Sequence, residues 1–212
     1  CCVVGHQNYV IKKGTRFIIN SAVASMGYGL PAAIGLCVSG KRQAEKAEGS
    51  ASGYPDTICL EGDGSIMMNL QELQTVVTNR LPIKLFLINN QGYHSIRITQ
   101  SNIFSEHTRV GIGPESGDLS FPSFEKLAGA FGWPYLAARR QSEMDEVIDR
   151  ALATEGFVFC EIFTDTQQVW EPKSSAKRLP DGTLVSPPLE DLAPFLPREE
   201  VLGNLFVKPL DS

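Results

Sequence analysis

Two apolar runs, TICLE at 57–61 and IKLFLIN at 83–89, constrain this chain more than any other feature. Neither alternates strictly with polar residues, so both predict strands covered on both faces. Between them Ile66, Leu70, Leu73 and Val77 fall at helical spacing, which predicts a helix starting at Ser65. Strand, helix and strand make one βαβ unit, and in a right-handed unit both strands run parallel and end at the same edge. The alternation continues. Phe124, Leu127, Ala128 and Phe131 mark a helix closed by Gly132, YLAAR (135–139) a strand, and Met144, Val147, Ile148 and Ala151 a helix capped at Ser142. FVFCEIF (157–163) closes the series. The predicted fold class is α/β: a doubly wound parallel sheet flanked by helices, with an irregular C-terminal arm.

The polar stretch KRQAEKAEGSASGYP (41–55) reads as a surface loop. After Asp165 the periodicity stops, which predicts a domain over 1–165 and a Pro-rich arm over 166–212. Leu184, Leu192, Phe195 and Leu196 in that arm suit packing over a neighbour. A net charge of -5 argues against nucleic acid or an anionic membrane as the main partner, because both reward a basic face. No apolar run approaches the roughly 20 residues of a membrane helix. Cys1, Cys2, Cys37, Cys59 and Cys160 contain no CxxC pair, and the last three lie in apolar runs. They read as core thiols in a reducing, cytoplasmic setting. The chain starts CCVVGHQNYV without an initiator methionine, so a piece of a longer protein is expected.

The chemistry starts where the two strands end. The first runs into EGDGS (61–65) and the second into NNQG (89–92), which predicts Asp63 and Asn90 in one crevice at the carboxyl edge of the sheet. A carboxylate, an amide oxygen and a backbone carbonyl are hard ligands suited to Mg²⁺ or Ca²⁺ and unsuited to zinc. Free N–H groups where the next helix begins favour a phosphate. Gly62 and Gly64 then read as the residues that let backbone approach it closely. The pair predicts a metal-bridged diphosphate site.

GDG, about two dozen residues, then NN resembles the signature of thiamine diphosphate enzymes, in the domain that grips the diphosphate. SMGYGLPAAIG (25–35), MNLQELQTVV, LPIK, GPESGDLSFPSFEKLA and the later LPDG resemble the acetolactate (acetohydroxyacid) synthases, over nearly the whole chain. The resemblance is strongest to the branch that accompanies sugar and polysaccharide biosynthesis. It implies a thiamine diphosphate-binding fold with Mg²⁺ held by the Asp63 and Asn90 side chains and the Gly92 carbonyl. Gly62, Gly64, Ser65, Tyr93, His94 and Ser95 would surround the diphosphate, and Asn90 and Gly92 would reach it through the metal. Met26 would support the bent cofactor, and its N–H and the Ala24 carbonyl would contact the pyrimidine. The family usually has glycine where Ala24 stands.

The implied activity is decarboxylation of a 2-oxo acid, with pyruvate the expected substrate, followed by ligation to a second carbonyl. The activating glutamate would lie outside this chain, on an N-terminal pyrimidine-binding domain of a second subunit, in a homodimer or tetramer. Any FAD would also be bound upstream. The chain would thus be the C-terminal third of a longer enzyme, inactive alone, with a free-standing β-subunit as the runner-up. One departure is informative. The family's Gly-Met-Val-x-Gln-Trp run is HSIRIT here, with Thr99 in place of the tryptophan, which opens the way to a larger acceptor such as a keto-sugar nucleotide. A simple 2-oxo acid decarboxylase and a non-catalytic Mg²⁺/diphosphate module are the competing classes.

Other readings apply to the same residues. Gly27-x-Gly29 lacks the third glycine of a dinucleotide fingerprint and precedes the first clear strand. Met26 on its own suggests core. His94 suits either acid/base work or a supporting or solvated place in a loop. His6 and His107 have no evident partners, Glu72 reads as structural, and Trp133 and Trp170 read as packing residues.

Overall fold

The computed structural model describes residues 9–46, 56–104, 109–188 and 190–207. It divides into two compact units, Cys1–Thr166 and Gln167–Ser212. Four parallel strands build the first unit: β1 (Thr57–Gly62), β2 (Ile83–Asn89), β3 (Tyr135–Ala138) and β4 (Val158–Phe163), in the order β1-β2-β4-β3. Its helices are α1 (Gly29–Lys46), α2 (Asp63–Ile66), α3 (Glu72–Asn79), α4 (His94–Ile103), α5 (Phe124–Ala130) and α6 (Met144–Ala153).

Both faces of the sheet are covered, as a doubly wound fold requires. On one face Leu30 and Cys37 of α1, Leu73 and Val76 of α3, and Phe124 and Ala128 of α5 pack on Leu85, Leu87 and Phe159. On the other, Val147 and Ala151 of α6 pack on Phe86, Ala138, Val158, Cys160 and Ile162. Consecutive residues of β2 and β4 therefore enter opposite cores, which is why those strands read as unbroken apolar runs. Each fully buried leucine among them stabilises the fold by roughly 1.5–3 kcal/mol.

Several local expectations need correction. TICLE is covered on one face only: Ile58 and Leu60 are 55% and 47% exposed, because β1 is an edge strand and α6 packs on β3 and β4. The helix expected from Ser65 is two pieces, with turns between Met67 and Gln71 where Met68 and Asn69 meet Gly27. A long stretch before β1 is helical: α1 runs through Lys46, so residues 41–46 are not loop, and 47–55 lie outside the described residues. Its glycines at 35 and 40 hide the pattern, yet Leu30, Ala33 and Cys37 form a buried stripe. Ser142 caps nothing; the Glu143 carboxylate accepts the Arg139 and Arg140 N–H groups at 2.8 and 3.2 Å instead. At α5 the cap is as the residues suggest, with Ser123 Oγ accepting from Lys126 N–H.

Cys37, Cys59 and Cys160 are buried free thiols, and Trp133 is buried with its indole N–H on the Leu73 carbonyl at 3.2 Å. Cys1, Cys2, His6 and His107 lie outside the described residues.

The second unit is irregular apart from a two-stranded antiparallel hairpin, β5 (Lys177–Arg178) with β6 (Leu184–Val185), and a short helix, α7 (Arg198–Asn204). LPDG makes the hairpin turn, where Asp181 Oδ1 accepts the Thr183 N–H at 2.9 Å. Among the described residues no helix is long and apolar enough to cross a membrane.

Candidate functional site

β1 and β2 pair in register up to Gly62 beside Ile88, so the GDG turn and the NNQG loop leave the sheet side by side. Asp63 opens α2 and is 2% exposed. Its Oδ1 accepts the Gly64 N–H at 2.7 Å, and its Oδ2 accepts the Gly92 N–H at 3.0 Å across to the second loop. Burial pushes this carboxyl above the usual carboxylate range, against the opposing pull of N–H donors from Gly92, Gly64 and Gln91 and of the nearby Arg97 charge. In the same loop as Gly92 the Asn90 Oδ1 is buried and has no hydrogen-bond partner among the described residues. An orphaned buried acceptor costs about 1–3 kcal/mol, which a bound ion would recover. No group of three or more His, Cys, Asp or Glu converges among the described residues, so an ion here would take one carboxylate with amide and carbonyl oxygens.

The loop is held from several directions. Asn89 Oδ1 accepts the Gln91 N–H at 2.9 Å, and Gln91 takes a left-handed φ of 56°. Asn89 Nδ2 donates to Glu161 Oε1, and the Tyr135 hydroxyl donates to Glu161 Oε2. Gly92 has to be glycine, because a Cβ would stand 1.9 Å from the Ile112 carbonyl oxygen. That same carbonyl accepts the Tyr93 N–H at 2.9 Å. Gly64 is needed for a related reason: its Cβ would stand 2.3 Å from the Tyr93 ring. At Gly62 the nearest atom to a Cβ is Ser65 Cβ at 4.0 Å, so the protein leaves that position open.

The upstream segment docks on the same turn. Ser65 Oγ accepts the Gly27 N–H at 2.8 Å, and Asn69 Nδ2 donates to the Gly27 carbonyl at 2.8 Å. Ala24 has a left-handed φ of 52°, a conformation glycine adopts without strain. Met26 is not core: it is 43% exposed, close to the exposure of Tyr28 (42%) and Met68 (50%). Ser95 and Thr99 lie exposed on α4, with Thr99 Oγ1 donating to the Ser95 carbonyl at 3.0 Å. His94 starts α4 and is 7% exposed, so it is not a solvated loop residue. The α2 helix is a single turn, too short to carry much of a helix dipole, and its Gly64 N–H is already taken by Asp63 Oδ1.

Four residues of this region were not read from the sequence. Arg97 and Glu115 form a bidentate ion pair, Nε to Oε1 at 2.5 Å and Nη2 to Oε2 at 3.1 Å. Glu161 and Tyr135 brace Asn89 and help line a cleft of about 320 Å³ with Gln91, Phe121 and Arg139. The charged residue inside FVFCEIF was the available signal, since a buried carboxylate needs donors. Arg97 carried none until α4 placed it facing inward.

A parallel α/β domain thus carries, at adjacent strand ends, a buried carboxylate and an amide oxygen unpartnered among the described residues. The chain belongs to the thiamine pyrophosphate enzyme family, matching its C-terminal TPP-binding domain over residues 1–162. It is 32% identical over 165 residues to the acetolactate synthase isozyme 2 large subunit of Escherichia coli, covering 77% of this chain and 27% of that protein. It is 30% identical over 167 residues to acetolactate synthase 3, chloroplastic, of Brassica napus (76% and 23%), and 33% over 147 residues to the acetolactate synthase large subunit of Porphyra purpurea (68% and 22%). The chain spans about a quarter of the length of these relatives.

Proposed function

We propose that this domain holds the diphosphate of thiamine diphosphate through a Mg²⁺ ion, in an acetolactate synthase-like enzyme acting on pyruvate or another 2-oxo acid. One observation carries the reading: the buried Asp63 carboxylate accepts the Gly92 N–H across two strand ends, and the buried Asn90 Oδ1 of the same loop lacks a partner among the described residues. Asp63, Asn90 and the Gly92 carbonyl are the hard oxygens Mg²⁺ prefers, and three protein ligands leave positions for phosphate and water. The N–H groups of Ser65 and Ser95 suit phosphate oxygens, those of Gly64 and Tyr93 being taken by Asp63 Oδ1 and the Ile112 carbonyl, and the open space at Gly62 suits a close approach.

When bound, the cofactor supplies a carbon nucleophile and an electron sink for loss of carbon dioxide. This chain's residues hold and orient it. Met26, exposed and next in sequence to the Gly27–Ser65 contact, would support the cofactor's rings, and the Ala24 carbonyl and the Met26 N–H would contact the pyrimidine. The exposed apolar side chains of Val23, Met26, Tyr28 and Met68 fit cover by a pyrimidine-binding domain and a second subunit, which would bring the activating glutamate. Exposed Thr99, where the family has tryptophan, supports a larger acceptor than pyruvate. Simple decarboxylation, by a single chain or by an enzyme with this domain as its β-subunit, is the alternative; product analysis on the complete enzyme, aldehyde against ligated ketol, separates them.

The test is a thermal shift of this chain with thiamine diphosphate and Mg²⁺, alone and together, beside Asp63→Ala. At a hundred times the dissociation constant the pair adds about 2.7 kcal/mol of stability. A rise that needs both ligands and vanishes in Asp63→Ala supports the reading. A rise that survives in the variant, or no rise in the complete enzyme, refutes it.

A further inference from the structure

We propose that Arg97 is a positioning residue for this site: its guanidinium sets the path of the Asn89–Gly92 loop and the tautomer of His94. The inference rests on the reading above that Asn90 and Gly92 hold a cation. Arg97 lies in the first turns of α4, within the HSIRIT stretch, and is 3% exposed. Its N–H groups reach three pieces of chain beyond its own helix. Nε and Nη2 take the two oxygens of Glu115, Nη2 also donates to the Gln91 carbonyl at 3.3 Å, and Nη1 donates to the Thr166 carbonyl at 3.4 Å.

Gln91 is therefore gripped at both ends of its left-handed residue, its N–H by Asn89 Oδ1 and its carbonyl by Arg97. A non-glycine residue holds that conformation against about 1–2 kcal/mol, so both grips matter to the path that carries Asn90 and Gly92. The packing is tight enough to transmit a change: a Cβ on Gly92 or Gly113 would stand 2.8 or 3.2 Å from Arg97 Nη2. Glu115, which also faces Arg109 Nη1 at 3.7 Å, offsets the guanidinium charge in part.

Nη1 also stands 3.0 Å from His94 Nδ1. A guanidinium has no acceptor, so Nδ1 accepts and the ring carries its proton on Nε2. His94 is thereby set to present an N–H donor from Nε2. Lysine cannot do the same work, because three donors on one nitrogen cannot span a planar fork of partners.

The test is nuclear magnetic resonance of the ¹⁵N-labelled chain, wild type and Arg97→Lys, joined to a Mg²⁺ titration at fixed thiamine diphosphate. The expected result is an Nε2–H tautomer of His94 in the wild type. In Arg97→Lys the amide signals of Asn90 to Tyr93 move, and half-saturating Mg²⁺ rises at least tenfold. An Nδ1–H tautomer in the wild type, or unmoved amides with unchanged Mg²⁺ demand in the variant, overturns the proposal. A purely structural role would lower the melting temperature and leave the tautomer and the Mg²⁺ demand of the folded fraction unchanged. Should Arg97→Lys not fold, Glu115→Gln replaces it, with the same loop amides as readout and unmoved amides as the overturning result. If the wild type shows no response to Mg²⁺ and cofactor, and the complete enzyme shows none either, the functional reading fails, while the tautomer and amide signals still decide the role of Arg97.

Discussion

Gly92→Ala tests how the loop after β2 is built. The added Cβ would lie 1.9 Å from the Ile112 carbonyl oxygen and 2.8 Å from Arg97 Nη2, at a φ of 157°. A carbonyl of the backbone cannot swing aside as a side-chain end can, so one of the two loops must move by more than an ångström. That movement breaks the 2.9 Å hydrogen bond from Tyr93 N–H to the same carbonyl. Leaving that pair unmade costs about 1–3 kcal/mol, and the residual backbone strain adds about 1–3 kcal/mol. The expected loss is about 2–6 kcal/mol, a large part of the roughly 5–15 kcal/mol that holds a domain together. Urea unfolding measures it as a lower midpoint at unchanged slope. Two controls separate crowding from conformation. Gly111→Ala has a left-handed φ of 62° with nothing within 4 Å of its Cβ, and is expected to lose only about 1 kcal/mol. Gly62→Ala meets only Ser65 Cβ at 4.0 Å and is expected to be within about 1 kcal/mol of wild type. A Gly92→Ala chain no less stable than Gly111→Ala would refute the argument that close approach, and not backbone freedom, requires glycine there.

Alkaline pH should unfold the chain. Burial pushes the Cys37, Cys59 and Cys160 thiols up, Cys160 to about 11, above the roughly 8.5 of an exposed thiol. Folded values above unfolded ones mean stability that is complete below about pH 8.5 and is lost as pH rises toward the folded values, at about 1.4 kcal/mol per pH unit per thiol. Burial lowers Lys84, which works in the opposite direction but is one group against three. Urea midpoints in reducing buffer from pH 7.5 to 10 should fall; flat or rising midpoints contradict this. Ala24→Gly should stabilise by up to about 1 kcal/mol, since it relieves a left-handed φ of 52°, a gain partly offset by the chain entropy that glycine adds to the unfolded state. A loss above about 1 kcal/mol in thermal unfolding would show that the alanine methyl packs. Glu161→Leu strands the Asn89 amide and the Tyr135 hydroxyl, and should cost about 2–5 kcal/mol while raising the Mg²⁺ needed for cofactor binding. A variant as stable as wild type would mean that these groups find water instead.

Hydrophobic periodicity and turn residues were enough to read the α/β class, the parallel strands and the shared edge from which Asp63 and Asn90 depart. Those are local properties: a strand buried on both faces must be apolar throughout, and a βαβ unit brings its strand ends together whatever else surrounds it. The same signals misled where a third element intervened. TICLE looks like a central strand, but nothing in its residues says that α6 stops short of it. The Ile66–Val77 pattern looks like one helix, but Gly27 docks across Met68 and Asn69 and divides it. The brace of the loop was the least legible part. Arg97, Glu115, Tyr135 and Glu161 are scattered over 65 positions of the chain and meet only once α4, the 111–118 loop and β4 are in place. The sequence by itself determined which residues carry ligand chemistry, because a carboxylate or an amide oxygen is a property of one residue. Tertiary structure alone decided which of them are buried, charged and aimed, because desolvation and hydrogen-bond geometry depend on every segment packed around them.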